Sequence, residues 1–171
     1  MNTRALGEMA LIAYNSVDKM ADVLTKAVNN KSFYTAGSEF SGNLLAAFDA
    51  IASLIDRKKM LVNLRLIIDT ALVKLSPQYL KVLCLKFCDR FSNNQICDAM
   101  EISERTFYRK LNTGIEHFGR NLFSGGLNED RCKKLFAKEA WLENIYNHLN
   151  DGKTELKVFS LRDERNKLKC V

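Results

Sequence analysis

A single proline, Pro77, and eight glycines serve all 171 residues. A chain of many strands needs a tight turn roughly every 8–12 residues, and those turns draw on glycine and proline. A sequence this poor in both is expected to be mostly helical, so the fold class we read is all-α. Hydrophobic residues at 47% and charged residues at 27% fit a globular protein and exclude wholesale disorder. At this length a chain buries about two-thirds of its unfolded surface and needs no staples. One domain, or a small module with helical appendages, is the expected organisation.

Apolar periodicity places the helices. Leu6, Ala10, Ala13, Val17, Met20, Leu24 and Ala27 recur at spacings of four and three over residues 3–28. This stripe reads as core-facing, with a homodimer seam as the alternative. Asn29–Asn43 reads as a polar connection containing Phe33, Tyr34 and Phe40. The helical period then returns at Leu44, Leu45, Phe48, Ile51, Ala52 and Ile55. Arg57, Lys58 and Lys59 read as a solvated turn of helix. Leu64, Ile67, Ile68, Ala71, Leu72 and Leu75 complete a core-facing series. Further on, Glu129–Leu149 reads as one amphipathic helix carrying Cys132, Leu135, Phe136, Leu142, Tyr146 and Leu149, and a second candidate interface. Thr154–Val171, with Leu156, Val158, Phe159 and Leu161, leaves strand and helix equally open.

The middle of the chain is better punctuated. Ser76 precedes Pro77, an N-cap followed by a residue whose φ is preset for a helix. That helix is expected to bury Leu80, Leu83, Cys84 and Phe87 and to stop near Asp89-Arg90. Ser92-Asn93-Asn94-Gln95 has the capping-box pattern, in which serine and glutamine side chains satisfy amides reciprocally. A short helix over 93–100 should follow, then a turn, then an N-cap at Ser103 and a longer helix over 104–117. Two helices joined by about three residues, the second longer, have the proportions of a helix-turn-helix. Cys97 supplies a small residue at the crossing, Ile102 an apolar plug, and Phe107, Leu111 and Ile115 an inner face. The outer face carries Glu104, Arg105, Tyr108, Arg109 and Asn112. Arginine pairs with guanine, asparagine with adenine, and glutamate accepts from cytosine, while tyrosine reaches phosphate.

The stretch Leu75–Ile115, LSPQYLKVLCLKFCDRFSNNQICDAMEISERTFYRKLNTGI, resembles region four of bacterial sigma factors and aligns without a gap. The residues that carry the pattern are Leu75, Pro77, Val82, Leu83, Leu85, Phe87, Asp89, Ser92, Ile96, Ser103, Thr106 and Leu111. The SERTFYRKL segment is similar to phage late-gene regulators of the ArpU and RinA kind. The resemblance implies a bacterial or phage transcription regulator in which Glu104, Arg105, Tyr108 and Arg109 face bases. It also implies that Lys110, with Asn93 or Asn94, approaches phosphates. Thr106 and Asn112 complete the candidate DNA-binding set. Two positions depart from the pattern: Glu101 stands where the turn usually has glycine, and Cys88 where glycine is common. A left-handed Glu101 would cost about 1 kcal/mol. Residues 1–70 lack tryptophan and the aromatic, acidic cluster of a promoter-melting region, so a complete sigma factor is not expected.

Three segments follow: a helical N-terminal segment (1–73), the sigma-like helix-turn-helix module (74–122), and a C-terminal helix and tail (123–171). Net charge is +6, and residues 74–122 hold eight basic and five acidic side chains. This supports nucleic-acid binding only mildly. His117 and His148 lie far apart, no zinc spacing or phosphate-binding glycine loop occurs, and Cys84, Cys88, Cys97, Cys132 and Cys170 read as thiols in a reducing cytoplasm. Asp22, Glu39, Asp49 and Asp56 read as scattered surface charges. No catalytic residue, metal, cofactor or enzyme activity is expected. Met1–Leu11 does not read as a secretory signal, and no apolar run reaches membrane-spanning length. The expected partner is double-stranded DNA, with RNA polymerase and a second copy of the chain as candidate protein partners. The alternative is a helical interaction protein that binds RNA polymerase or another regulator without touching DNA.

Overall fold

The computed structural model describes residues 1–37 and 44–151, and every regular element in them is helical. The all-α class is therefore observed. Helix α1 is Thr3–Gly37, α2 Leu44–Val73, α3 Pro77–Leu83, α4 Asn93–Met100, α5 Glu104–Ser124, α6 Glu129–Lys138 and α7 Ala140–Asn150. A π-helical turn, Cys84–Cys88, extends α3. The expectations placed on Glu39, Phe40, Cys170 and Thr154–Val171 lie outside the described residues.

α1 is the spine. It packs along α2, crosses α5, and touches α7 and the π-turn. Its stripe from Leu6 to Leu24 is buried, with Ala27 partly so, against Leu61, Leu64, Ile68, Phe118, Leu122, Trp141 and Leu142. The chain's own core thus consumes the stripe that could have been a dimer seam. α1 also runs on to Gly37 where a connection beginning at Asn29 was expected. Asparagine and serine weaken a helix by only fractions of a kcal/mol each, and no proline stops it. α1 and α2 run antiparallel. Arg65 on α2 donates to Asp18 at 2.6 Å and to the Tyr14 carbonyl at 3.1 Å, and its guanidinium lies 3.6 Å from the Tyr14 ring centre.

α5 also overruns its expected end at His117, because Phe118, Gly119 and Leu122 face the core. Gly7 and Gly119 let α1 and α5 meet backbone to backbone. A Cβ on Gly7 would lie 3.0 Å from Gly119 Cα, and one on Gly119 would overlap the Thr3 carbonyl.

The expected single helix 129–149 is two helices. The break is at Glu139 (φ −128°, ψ 70°), in a stretch without glycine or proline. Glu139 is only 1% exposed. Its carboxylate takes a two-pronged ion pair from Arg57, at 2.8 and 3.2 Å, and accepts the Trp141 indole N–H at 3.0 Å. A buried carboxylate requires such partners, and reaching them overrides helical continuity. Arg57 is consequently a clamp between α2 and the α6–α7 corner, not part of a solvated turn.

Candidate nucleic-acid interface

The segment from Pro77 to α5 has a small core of its own. Val82, Ile96 and Phe107 are fully buried, and Leu85, Cys97, Met100, Ile102 and Leu111 pack on them. Leu111 also touches the main core, so α5 belongs to both. The two residues assigned to the crossing and the plug, Cys97 and Ile102, both sit in this cluster.

Local hydrogen bonds shape the unit. Ser92 Oγ accepts from the Gln95 amide at 3.4 Å, and Gln95 Oε1 accepts from the Ser92 amide at 2.9 Å, so both halves of the capping box form. Glu101 is left-handed (φ 52°, ψ 45°). The Ile102 amide closes on Cys97 O at 3.0 Å and the Glu101 amide on Asp98 O at 3.2 Å. That is a Schellman ending, and it turns the chain sharply enough to pack the half-buried Ile102 against the small core. Ser103 Oγ then accepts from the Thr106 amide at 3.3 Å to start α5, and its hydroxyl lies 3.0 Å from that of Thr106. Thr106 is therefore engaged in capping.

The expected outer face is exposed at Glu104, Arg105, Tyr108, Arg109 and Asn112, one continuous side of α5. Neither Arg105 nor Arg109 has an ion pair among the described residues. Tyr108 is placed by two neighbours: its hydroxyl accepts from Asn93 Nδ2 at 3.0 Å, and its ring meets Phe107 edge-on at 5.1 Å. Asn93 in turn accepts from Lys86 Nζ at 2.6 Å. The chain Lys86–Asn93–Tyr108 therefore ties the π-turn, α4 and α5 together. Asn94 is exposed and Lys110 half-buried. Asn112 Oδ1 accepts from Arg4 Nη2 at 2.9 Å, and Arg4 also reaches Glu116 at 3.5 Å.

Two basic residues at this surface were not singled out from sequence. Arg4 comes from α1, across 108 positions, and has no local signature. Lys86 could have been found, since it lies seven residues before Asn93 and on the far side of the turn.

The π-turn is held from α1. Asn15 Nδ2 donates to Phe87 O at 3.2 Å and Cys88 O at 3.1 Å, carbonyls that a helix end leaves without partners. Arg90 follows in the left-handed region (φ 59°). Burial raises the Cys84 thiol and pushes Cys88 up to about 12, so both stay protonated and poorly nucleophilic at neutral pH.

Residues 45–118 match a protein family described as Protein of unknown function (DUF1492). The matched span covers less than half of the chain, from the second residue of α2 through Phe118 in α5. No curated protein and no solved structure matches the chain.

Proposed function

We propose that this chain is a sequence-specific, double-stranded-DNA-binding regulator of transcription that lays the first half of α5 in the major groove. The observation that carries this reading is the outer face of α5. Arg105 and Arg109, without ion pairs among the described residues, project from a short, capped, two-helix unit with its own core. Arg105 and Arg109 read guanine edges, with Glu104 and Tyr108 beside them. Lys110, Asn94 and the Lys86–Asn93 pair lie toward the backbone and set register. Asn112, held by Arg4, marks the far end of the reading face. The gapless likeness of Leu75–Ile115 to sigma region four points to the same use.

Selection of bound fragments from random duplex DNA, followed by titration of the selected site, tests the reading. Arg105→Ala or Arg109→Ala should cost about 1–3 kcal/mol against the selected site and relax preference at one base position. Lys110→Ala should weaken all duplexes alike and lower the salt slope by about 1. If no duplex binds in a salt-dependent way, the reading fails. If Arg105→Glu with Arg109→Glu abolishes DNA binding while polymerase still co-purifies, the DNA reading holds. If the wild type binds polymerase alone, the chain is an interaction protein.

A further inference from the structure

A cavity opens between the second half of α2 and α6. Its volume is about 510 Å³, within the ~300–1,000 Å³ of small-ligand sites. Leu64, Leu127 and Leu135 form a buried floor, with Met60 and Ile67 half-buried on the α2 side. Leu66, 65% exposed, is the outer wall. The polar groups at the cavity are Arg131 and Lys134 on α6 and Asn63 on α2, and no carboxylate lines it. Arg131 and Lys134, three residues apart, share one side of α6. Among the described residues, the ion pairing of α6 is confined to Lys133 with Glu129, at 3.9 Å, on the helix's opposite side. The two rim cations are therefore not neutralised by the chain. Arg131 is also placed by its surroundings. Asn128 Oδ1 accepts its amide at 3.1 Å, and Gly126, at φ 110°, leaves room for its guanidinium, since a Cβ there would stand 2.8 Å from Nη1. The α5–α6 loop thus seats this group at the cavity's edge.

We infer that this cavity is a binding site for a small amphipathic carboxylate. Its apolar body lies over Leu64, Ile67 and Leu135 and covers the bare wall at Leu66, a gain proportional to the area withdrawn from water. Its carboxylate sits between Arg131 and Lys134. The planar arginine fork takes a carboxylate through two parallel hydrogen bonds, and the ammonium adds a third donor. Asn63, whose side chain makes no hydrogen bond among the described residues, offers a further amide donor from the α2 side. Charge selects the class of ligand, because a cation would meet two uncompensated positive groups and no acceptor carboxylate. Spacing selects its size. Both cations lie within one turn of α6, close enough to share one head group, whereas an acidic helix from a partner would present charges and anchors spread over two turns or more. The inference stands independently of DNA binding, since α6 and this side of α2 lie outside the α4–α5 unit.

Decanoate is a suitable probe, titrated into the whole chain by calorimetry and followed by methyl NMR. One site per chain should bind it with a Kd below about 1 mM. The methyl signals of Leu66, Ile67 and Leu127 should shift, and those of Val82 in the small core should not. Decyltrimethylammonium, which has the same tail and the opposite charge, should bind at least tenfold more weakly. Arg131→Gln/Lys134→Gln should weaken decanoate at least tenfold with unchanged helical circular dichroism, since both side chains are exposed. Leu66→Asp, which brings a carboxylate to the wall, should do the same. Absence of decanoate binding at about 5 mM overturns the inference. So does equal affinity for the two tails, a double variant that binds like wild type, or a shift pattern centred elsewhere. An acidic amphipathic peptide of about 20 residues that moves these methyls where decanoate does not assigns the cavity to a protein partner and overturns it too.

Discussion

Two glycines five positions apart in α5 should respond to alanine with opposite signs. At Gly119 the new Cβ would overlap the Thr3 carbonyl oxygen and stand 2.8 Å from its carbon. Carbon atoms pack at about 3.5–4.0 Å, so the α1 backbone must retreat by about 1 Å. Two helices in direct backbone contact cannot absorb that by turning a side chain. The cheapest relaxation is to unwind the first turn of α1, exposing Ala5 and Leu6, which are 4% and 0% exposed in the fold. Leu6 contributes about 2 kcal/mol by burial and the Ala5 methyl about 0.8, so the loss should be near 3 kcal/mol. At Gly114 the new Cβ would meet Tyr79 Cβ at 3.4 Å and Leu83 side-chain atoms at 3.5 and 3.6 Å, all ordinary contacts. There alanine should gain about 0.5–1 kcal/mol from helix propensity alone. For a domain of this size, thermal melts at 222 nm should fall by about 6–12 °C for Gly119→Ala and rise by about 1–4 °C for Gly114→Ala. A Gly119→Ala melt within 2 °C of wild type, measured under the same conditions, would refute the backbone crossing.

Other consequences are as direct. Glu139→Ala removes the Arg57 ion pair and leaves the buried Trp141 N–H without its acceptor, so urea unfolding should show a loss of about 3–5 kcal/mol, and Glu139→Gln should recover part of it. Because the chain has one tryptophan, its fluorescence reports the same corner directly. Glu101→Gly should leave stability equal or raise it by up to about 1 kcal/mol, relief of the left-handed strain being partly offset by chain entropy, whereas Glu101→Val should lower it in the same melt. Alkaline pH should destabilise the fold. Burial lifts Cys132 to about 11, and Cys88 and Tyr14 to about 12, from ordinary values of 9.0 for the thiols and 10.0 for the phenol. Between about pH 9 and 12 the unfolded chain therefore holds fewer protons than the folded one. The contribution of these groups is complete below pH 9 and lost as pH climbs through that window. Denaturant midpoints that stay flat from pH 8.5 to 11.5 would contradict the burial of these groups.

The α4–α5 unit was the most legible part of the chain because its signals act over three to six residues. Ser92 and Gln95, Ser103 and Thr106, and the Glu101 turn each close a hydrogen bond with a near neighbour, so the pattern of residue types is the interaction itself. The outer face of α5 was legible for the same reason, since helical spacing alone puts Arg105 and Arg109 on one side. The stripes on α1 and on the second half of α2 could be recognised as apolar, but apolarity does not name what covers it. The Leu6–Ala27 stripe and the Leu44–Phe48 stretch look alike in sequence. One is sealed by α2, α5 and α7, and the other is left bare.

What the residues determined by themselves is the helical class, the capped unit of α4 and α5, and the chemistry its outer face presents. What only the tertiary structure decided lies across long separations: Arg57 drawing Glu139 into the core and splitting a helix, Asn15 satisfying the π-turn, Arg4 reaching Asn112, and Gly7 meeting Gly119. Each of these joins positions 70 or more residues apart, where no local pattern can encode a partner. Burial, which settles whether a charge must be paired or a glycine must stay small, exists only once the helices have packed.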